Sequence, residues 1–93
     1  MSAGDAMLQE SGVIIGLDIY TPEGVFVGKA DNLVFDVINK RADSIIVRKP
    51  SPVVAEEGVV LGIPYRWVSA VGDIIILKEF PGKVNRDGSL SEL

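Results

Sequence analysis

The 93-residue chain has no cysteine and no histidine. Without cysteine it can form no disulfide, no thiolate nucleophile and no sulfur-ligated zinc site. Without histidine it lacks the commonest general base and the commonest metal ligand. Any catalysis would rest on carboxylates, Lys, Tyr or Ser alone. The reading is therefore a non-enzyme, with no catalytic, cofactor-binding or metal residues assigned. A basic surplus is missing too: nine Lys and Arg face thirteen Asp and Glu, for a net charge of −4. Nucleic-acid binding needs a basic face to neutralise phosphates. Lys40-Arg41 and Arg48-Lys49 are too small and too separate to supply one. No long apolar run is present either, since the longest, residues 74–77, is far short of the roughly 20 needed to cross a bilayer. The opening Met1-Ser2-Ala3-Gly4-Asp5 lacks the basic start and apolar stretch of a signal peptide. These absences predict a cytoplasmic protein with no nucleic-acid partner and no direct membrane insertion.

What is present is a rhythm of short apolar runs broken by Gly, Pro and Asp, which predicts a compact all-β domain. A first strand is expected over residues 14–20, with Ile15, Leu17 and Ile19 on one face. Thr21-Pro22-Glu23-Gly24 reads as a type I turn leading to a hairpin partner from Val25. A bend or bulge is expected near Gly28-Lys29, followed by alternation at Leu33, Phe35 and Val37. Further strands are expected over residues 44–49, 59–63 and 74–78, with residues 50–58 as an exposed loop. The predicted core is Leu17, Phe35, Val47, Ile63, Val68 and Val71, with Ile74 or Ile76 beside them. Residues 1–12 and 81–93 are small and polar and read as flexible terminal arms around one domain at 13–80.

Several constellations invite a sharper reading and fail to support it. Asp18, Asp31, Asp36 and Asp73 are scattered over separate segments, whereas calcium loops gather their ligands closely. Turn formation and strand-edge charge explain them better. Gly24-x-x-x-Gly28 lacks the Gly-Lys-Ser/Thr ending of a phosphate loop. Lys29 has no partner base. Tyr20, Tyr65 and Trp67 could line a groove for a proline-rich peptide, as in SH3-like barrels, but a core position for Trp67 is the preferred assignment.

One feature survives. Val13-Ile14-Ile15, Ile45-Ile46-Val47, Val59-Val60-Leu61 and Ile74-Ile75-Ile76-Leu77 are apolar on both faces, in a chain that is 47% hydrophobic. A barrel interior covers one face of each strand only. If Ile74 and Ile76 point inward, Ile75 and Leu77 face out, with Ile14 and Ile46 stranded likewise. These four residues are the predicted protein-interaction surface, and a homodimer is the simplest way to cover it.

The order of Gly16-Leu17-Asp18-Ile19-Tyr20, Gly24-x-Phe26-Val27-Gly28-Lys29, Asp31-x-x-x-x-Asp36, Ile63-Pro64-Tyr65 and Ala70-Val71-Gly72-Asp73-Ile74-Ile75-Ile76-Leu77 resembles the PRC-barrel domain family across residues 13–80. The resemblance implies a small antiparallel PRC-type β-barrel of about six strands. It is similar to the stand-alone archaeal members, among them the CdpB-like cell-division proteins. For such a protein the resemblance implies no cofactor and an adaptor role at the division site. The implied partner is SepF, which links FtsZ to the membrane, or a paralogous PRC-barrel protein. An alternative is a ribosome-maturation module that binds a ribosomal protein.

Overall fold

The computed structural model describes residues 14–93, so the arm expected at residues 1–12 lies outside the described residues. The described chain is all-β, as its composition of short β-branched runs dictates. Strands β1 (Asp18–Tyr20), β2 (Phe26–Lys29), β3 (Asn32–Asp36), β4 (Arg41–Val47) and β5 (Leu61–Pro64) lead into a 3-10 turn at Tyr65–Trp67. Then come β6 (Val68–Val71), β7 (Ile75–Leu77) and a terminal hairpin of β8 (Lys83–Val84) and β9 (Leu90–Ser91). Hydrogen bonding organises them as a four-stranded sheet ordered β2-β1-β7-β6, a three-stranded sheet ordered β3-β4-β5, and the small hairpin. All pairs are antiparallel except β1 with β7, which run parallel.

Turn chemistry sets the connections. The Thr21 turn forms as expected. The Gly24 N–H donates to the Thr21 carbonyl at 3.0 Å, and the Thr21 hydroxyl accepts the Val25 N–H at 3.0 Å. Gly24 takes a positive φ of 85°, open to glycine at little cost. The irregularity expected near Gly28 is a register shift that leaves Val27 as the extra residue between the pairs Ile19–Gly28 and Tyr20–Phe26. Gly28 itself has φ 152°, and a Cβ there would stand 2.6 Å from Val47 Cγ1. Glycine is thus required where β2 crosses β4.

The two larger sheets share one core. Ile19, Val27, Ile75 and Leu77 come from the first sheet, and Leu33, Ile45, Val47, Leu61 and Ile63 from the second. Ile14, Ala30, Val54 and Ala55 fill in from the connections. Val47 and Ile63 are buried as the alternation implied, while Leu17, Phe35 and Val68 are half-buried against the core. Ile74 and Ile76 are exposed, the reverse of the expected phase, and Val71 is exposed although it lies opposite buried Ile75 on the edge strand β6. For Ile74 and Ile76 the difference is one of strand phase. The cause is the parallel pairing of β1 with β7, which sets Ile19 opposite Ile75 and turns both inward. Period-two alternation in an all-apolar strand is symmetric, so only the partner strand chooses which face is buried.

Residues 81–93 are also not a loose tail. The Val84 N–H donates to the Val54 carbonyl at 2.9 Å, and the Glu56 N–H donates to the Val84 carbonyl at 2.8 Å. Arg86 Nε reaches Glu56 Oε2 at 2.7 Å. The polar composition of this segment reflects a two-stranded ribbon with exposed side chains, tied by its backbone to the loop at residues 51–56.

Candidate interaction surfaces

The expected surface of Ile14, Ile46, Ile75 and Leu77 does not exist as such. Ile14, Ile75 and Leu77 are fully buried, because they belong to the core built on the β1–β7 register. Ile46 alone keeps partial exposure, on the outer face of the three-stranded sheet between Asn32 and Gly62.

The inversion creates a different apolar face. Register sets Phe26 opposite Tyr20, Tyr20 opposite Ile76, and Ile76 opposite Ala70. These four residues form a row across the outside of the four-stranded sheet. The Tyr20 and Phe26 rings meet at 5.6 Å with a 58° tilt, within the range of favourable aromatic pairs. Phe26, Ile76 and Ile74 are each 38–40% exposed. Together they offer on the order of 200 Å² of apolar surface. The Asp18–Lys29 pair, at 3.9 Å, stands at one rim of the row.

Tyr20, Tyr65 and Trp67 are not gathered into one aromatic groove. Tyr20 pairs with Phe26, whereas Trp67 meets Phe80 edge-on at 6.4 Å. Trp67 and Tyr65 both pack against the core from the 3-10 turn, the assignment preferred from sequence for Trp67. Lys78 fixes that turn by donating its N–H to the Trp67 carbonyl at 2.7 Å.

Asp31 and Asp36 hold backbone. Asp31 accepts the Arg48 N–H at 2.7 Å. Asp36 Oδ1 accepts the N–H groups of Ile38 and Asn39, and its Oδ2 accepts the Asn39 side-chain amide at 2.7 Å. The hydrogen bonds from Asn39, the amide first, hold the Asp36 carboxyl below its ordinary pKa. This closed turn presents Val37 and Ile38 at 82% and 91% exposure, the two most exposed large apolar side chains among the described residues. Sequence reading extended the alternation of Leu33 and Phe35 through Val37 and so missed the tip. The missed signal was Asp36-x-x-Asn39, a side-chain-capped turn.

At the other end of β4, the loop after Val47 encloses a cleft of about 490 Å³. Its lining includes Arg48 and Lys49, Glu56 and Glu57, and apolar Pro52 and Val59. The Arg86 hydrogen bonds to Glu56 lower the Glu56 pKa and keep that carboxylate charged.

Two sheets sharing one small core, with exposed apolar features and short loops, define a compact all-β module. The PRC-barrel domain profile matches residues 13–84, and the chain belongs to that family. A search of the curated proteins finds no significant match to this chain. Among the described residues no helix is long and apolar enough to cross a membrane.

Proposed function

We propose that this chain is a non-catalytic protein–protein interaction module that works as an adaptor in archaeal cell division. It binds SepF or a paralogous PRC-barrel protein, from the cytoplasm, at the division site. The observation that carries the interaction reading is the cross-strand row Phe26–Tyr20–Ile76–Ala70, an apolar stripe on the outside of a sheet whose other face is already buried. Aromatic and branched aliphatic side chains in such a stripe gain stability when a partner excludes water from them. The division context is supported by the sequence resemblance to the stand-alone archaeal barrels. The stripe also serves as a homodimer contact, with rim residues completing the roughly 800 Å² per partner of a standard interface.

The test is capture of partners from native archaeal lysate with the intact chain and with Ile76→Glu, read by mass spectrometry. Division proteins recovered with the first and lost with the second are the expected outcome. Recovery of ribosomal proteins in their place would assign the chain to ribosome maturation. Light scattering on the purified proteins reads the dimer separately, with about twice the 10.0 kDa chain mass expected for the parent and one chain mass for Ile76→Glu.

A further inference from the structure

The described residues begin at Ile14, beside the apolar stripe. The Leu17 N–H donates to the Ile14 carbonyl at 3.1 Å, closing a turn there. The Gly16 N–H donates to the Ala30 carbonyl at 2.8 Å, which sets this turn at the Asp18–Lys29 rim of the four-stranded sheet. Residues 1–13 precede it, and in residues 1–12 Met7-Leu8 is the only adjacent pair of large apolar side chains. Leu8 lies six residues from Ile14, a span of up to about 20 Å. Tyr20 stands two residues past Asp18, about 7 Å along β1, with Phe26 and Ile76 one strand spacing of about 4.8 Å to either side. The centre of the stripe is therefore within reach of Met7-Leu8.

We infer that Met7 and Leu8 fold back over Tyr20, Phe26 and Ile76 of the same chain and cover the stripe until a partner displaces them. The inference rests on the stripe named in the proposed function and adds how access to it is controlled. Tethering selects this occupant. A segment held six residues from its site acts at an effective concentration of about 1 mM, which a separate molecule must match. A second copy also brings a net charge of −4 against −4, a repulsion absent from a contact within one chain. Asp5 and Glu10, the only charged side chains in residues 1–13, bracket the apolar pair. Lys78 stands exposed two residues past Ile76, at the rim opposite Asp18–Lys29, and makes no ion pair among the described residues. The outer face of the three-stranded sheet is a poorer seat, because its Ile46 lies between Asn32 and Gly62.

The test is paramagnetic relaxation in NMR on the full chain. The chain has no cysteine, so Gln9→Cys carries a nitroxide at one position only. Amide signals of Tyr20, Phe26 and Ile76 are expected to lose about half their intensity and to recover when ascorbate reduces the label. Val34 and Ile46, on the other sheet, are expected to keep theirs. Met7→Ser with Leu8→Ser in the labelled chain is expected to restore the stripe signals. Ala6→Cys is the second label site, should Gln9→Cys itself disturb the contact. Broadening of neither sheet, of both equally, or of Val34 and Ile46 alone would overturn the inference. Isotope-labelled chain without nitroxide, mixed with nitroxide-bearing chain, is expected to show no broadening. Broadening in that mixture would seat the segment on a second copy and overturn the contact within one chain. Anilinonaphthalene-sulfonate fluorescence is expected to rise about twofold with Met7→Ser and Leu8→Ser, and to fall back when Ile76→Glu is added. An unchanged dye signal would likewise count against the cover. All these readouts come from the free chain. Failure to capture division proteins would therefore reject the proposed function and leave the covered stripe standing.

Discussion

Gly28 shows how one residue can decide where two sheets cross. Its φ of 152° disfavours any side chain, and a Cβ would press on Val47 and the Pro50 backbone. Gly28→Ala is expected to cost about 1–3 kcal/mol, with the urea midpoint falling accordingly. Gly72 makes the control, because nothing lies within reach of a Cβ there and its φ is not positive. Gly72→Ala should change stability by less than about 0.5 kcal/mol. Asp36 offers a second residue-scale test. Its folded pKa lies below the ordinary 3.8, chiefly through the Asn39 amide. A depressed carboxylate contributes its stability above the unfolded value and loses it as pH falls through the folded value. The tip should therefore loosen only below about pH 3.8. Carbon-detected NMR titration should place the Asp36 midpoint under that of a free aspartate, and Asn39→Ala should move it back upward. An Asp36 midpoint at or above the free value would contradict the turn geometry.

At the scale of elements, β7 carries the clearest contrast. Ile75 is fully buried and faces Ile19, while its neighbour Ile76 is 39% exposed and faces Tyr20. Ile75→Ala should cost about 2–5 kcal/mol, as for a buried isoleucine truncated in a packed core. Ile76→Ala should cost less than about 1 kcal/mol, since the side chain already meets water. Thermal melts of the two variants would separate them, and equal losses would reject the β1–β7 register. The same strand explains why the interaction surface was misplaced from sequence. Four consecutive apolar residues satisfy both phases of a strand, so Ile75 and Leu77 were as eligible for the outside as Ile74 and Ile76. Val37 failed for a different reason: an alternation that ends in a turn looks, residue by residue, like one that continues.

Across the whole molecule, the C-terminal hairpin is part of the domain. It bonds to residues 54 and 56 through backbone, and Val84 packs against the core near buried Val54 and Ala55. A chain ending at Phe80 should lose this cover and melt lower by about 5 °C or more, the effect of roughly 1 kcal/mol in a domain of this size. An unchanged melting temperature would return residues 81–93 to the status of a tail. The net charge of −4 bears on partners at the same scale. Fluorescence anisotropy with a mixed RNA pool at physiological salt should show no binding, because an acidic surface repels phosphate. Micromolar binding that weakens steeply with salt would reject the adaptor reading.

By itself the sequence determined the fold class, the family, the Thr21–Gly24 turn and the irregularity at Gly28. Those follow from local chemistry: β-branched runs favour strands, while Thr21-Pro22-Glu23-Gly24 and Gly28 carry their geometry in their own residues. It also excluded disulfides and histidine chemistry, which composition alone decides. The tertiary structure decided which face of each apolar strand is buried, that residues 81–93 fold back, and that the exposed stripe runs through Phe26, Tyr20 and Ile76. These depend on pairings between distant segments, above all β1 with β7, nearly sixty residues apart in sequence. A strand that is apolar on both faces holds no record of its own orientation, so only the neighbour it pairs with can supply one.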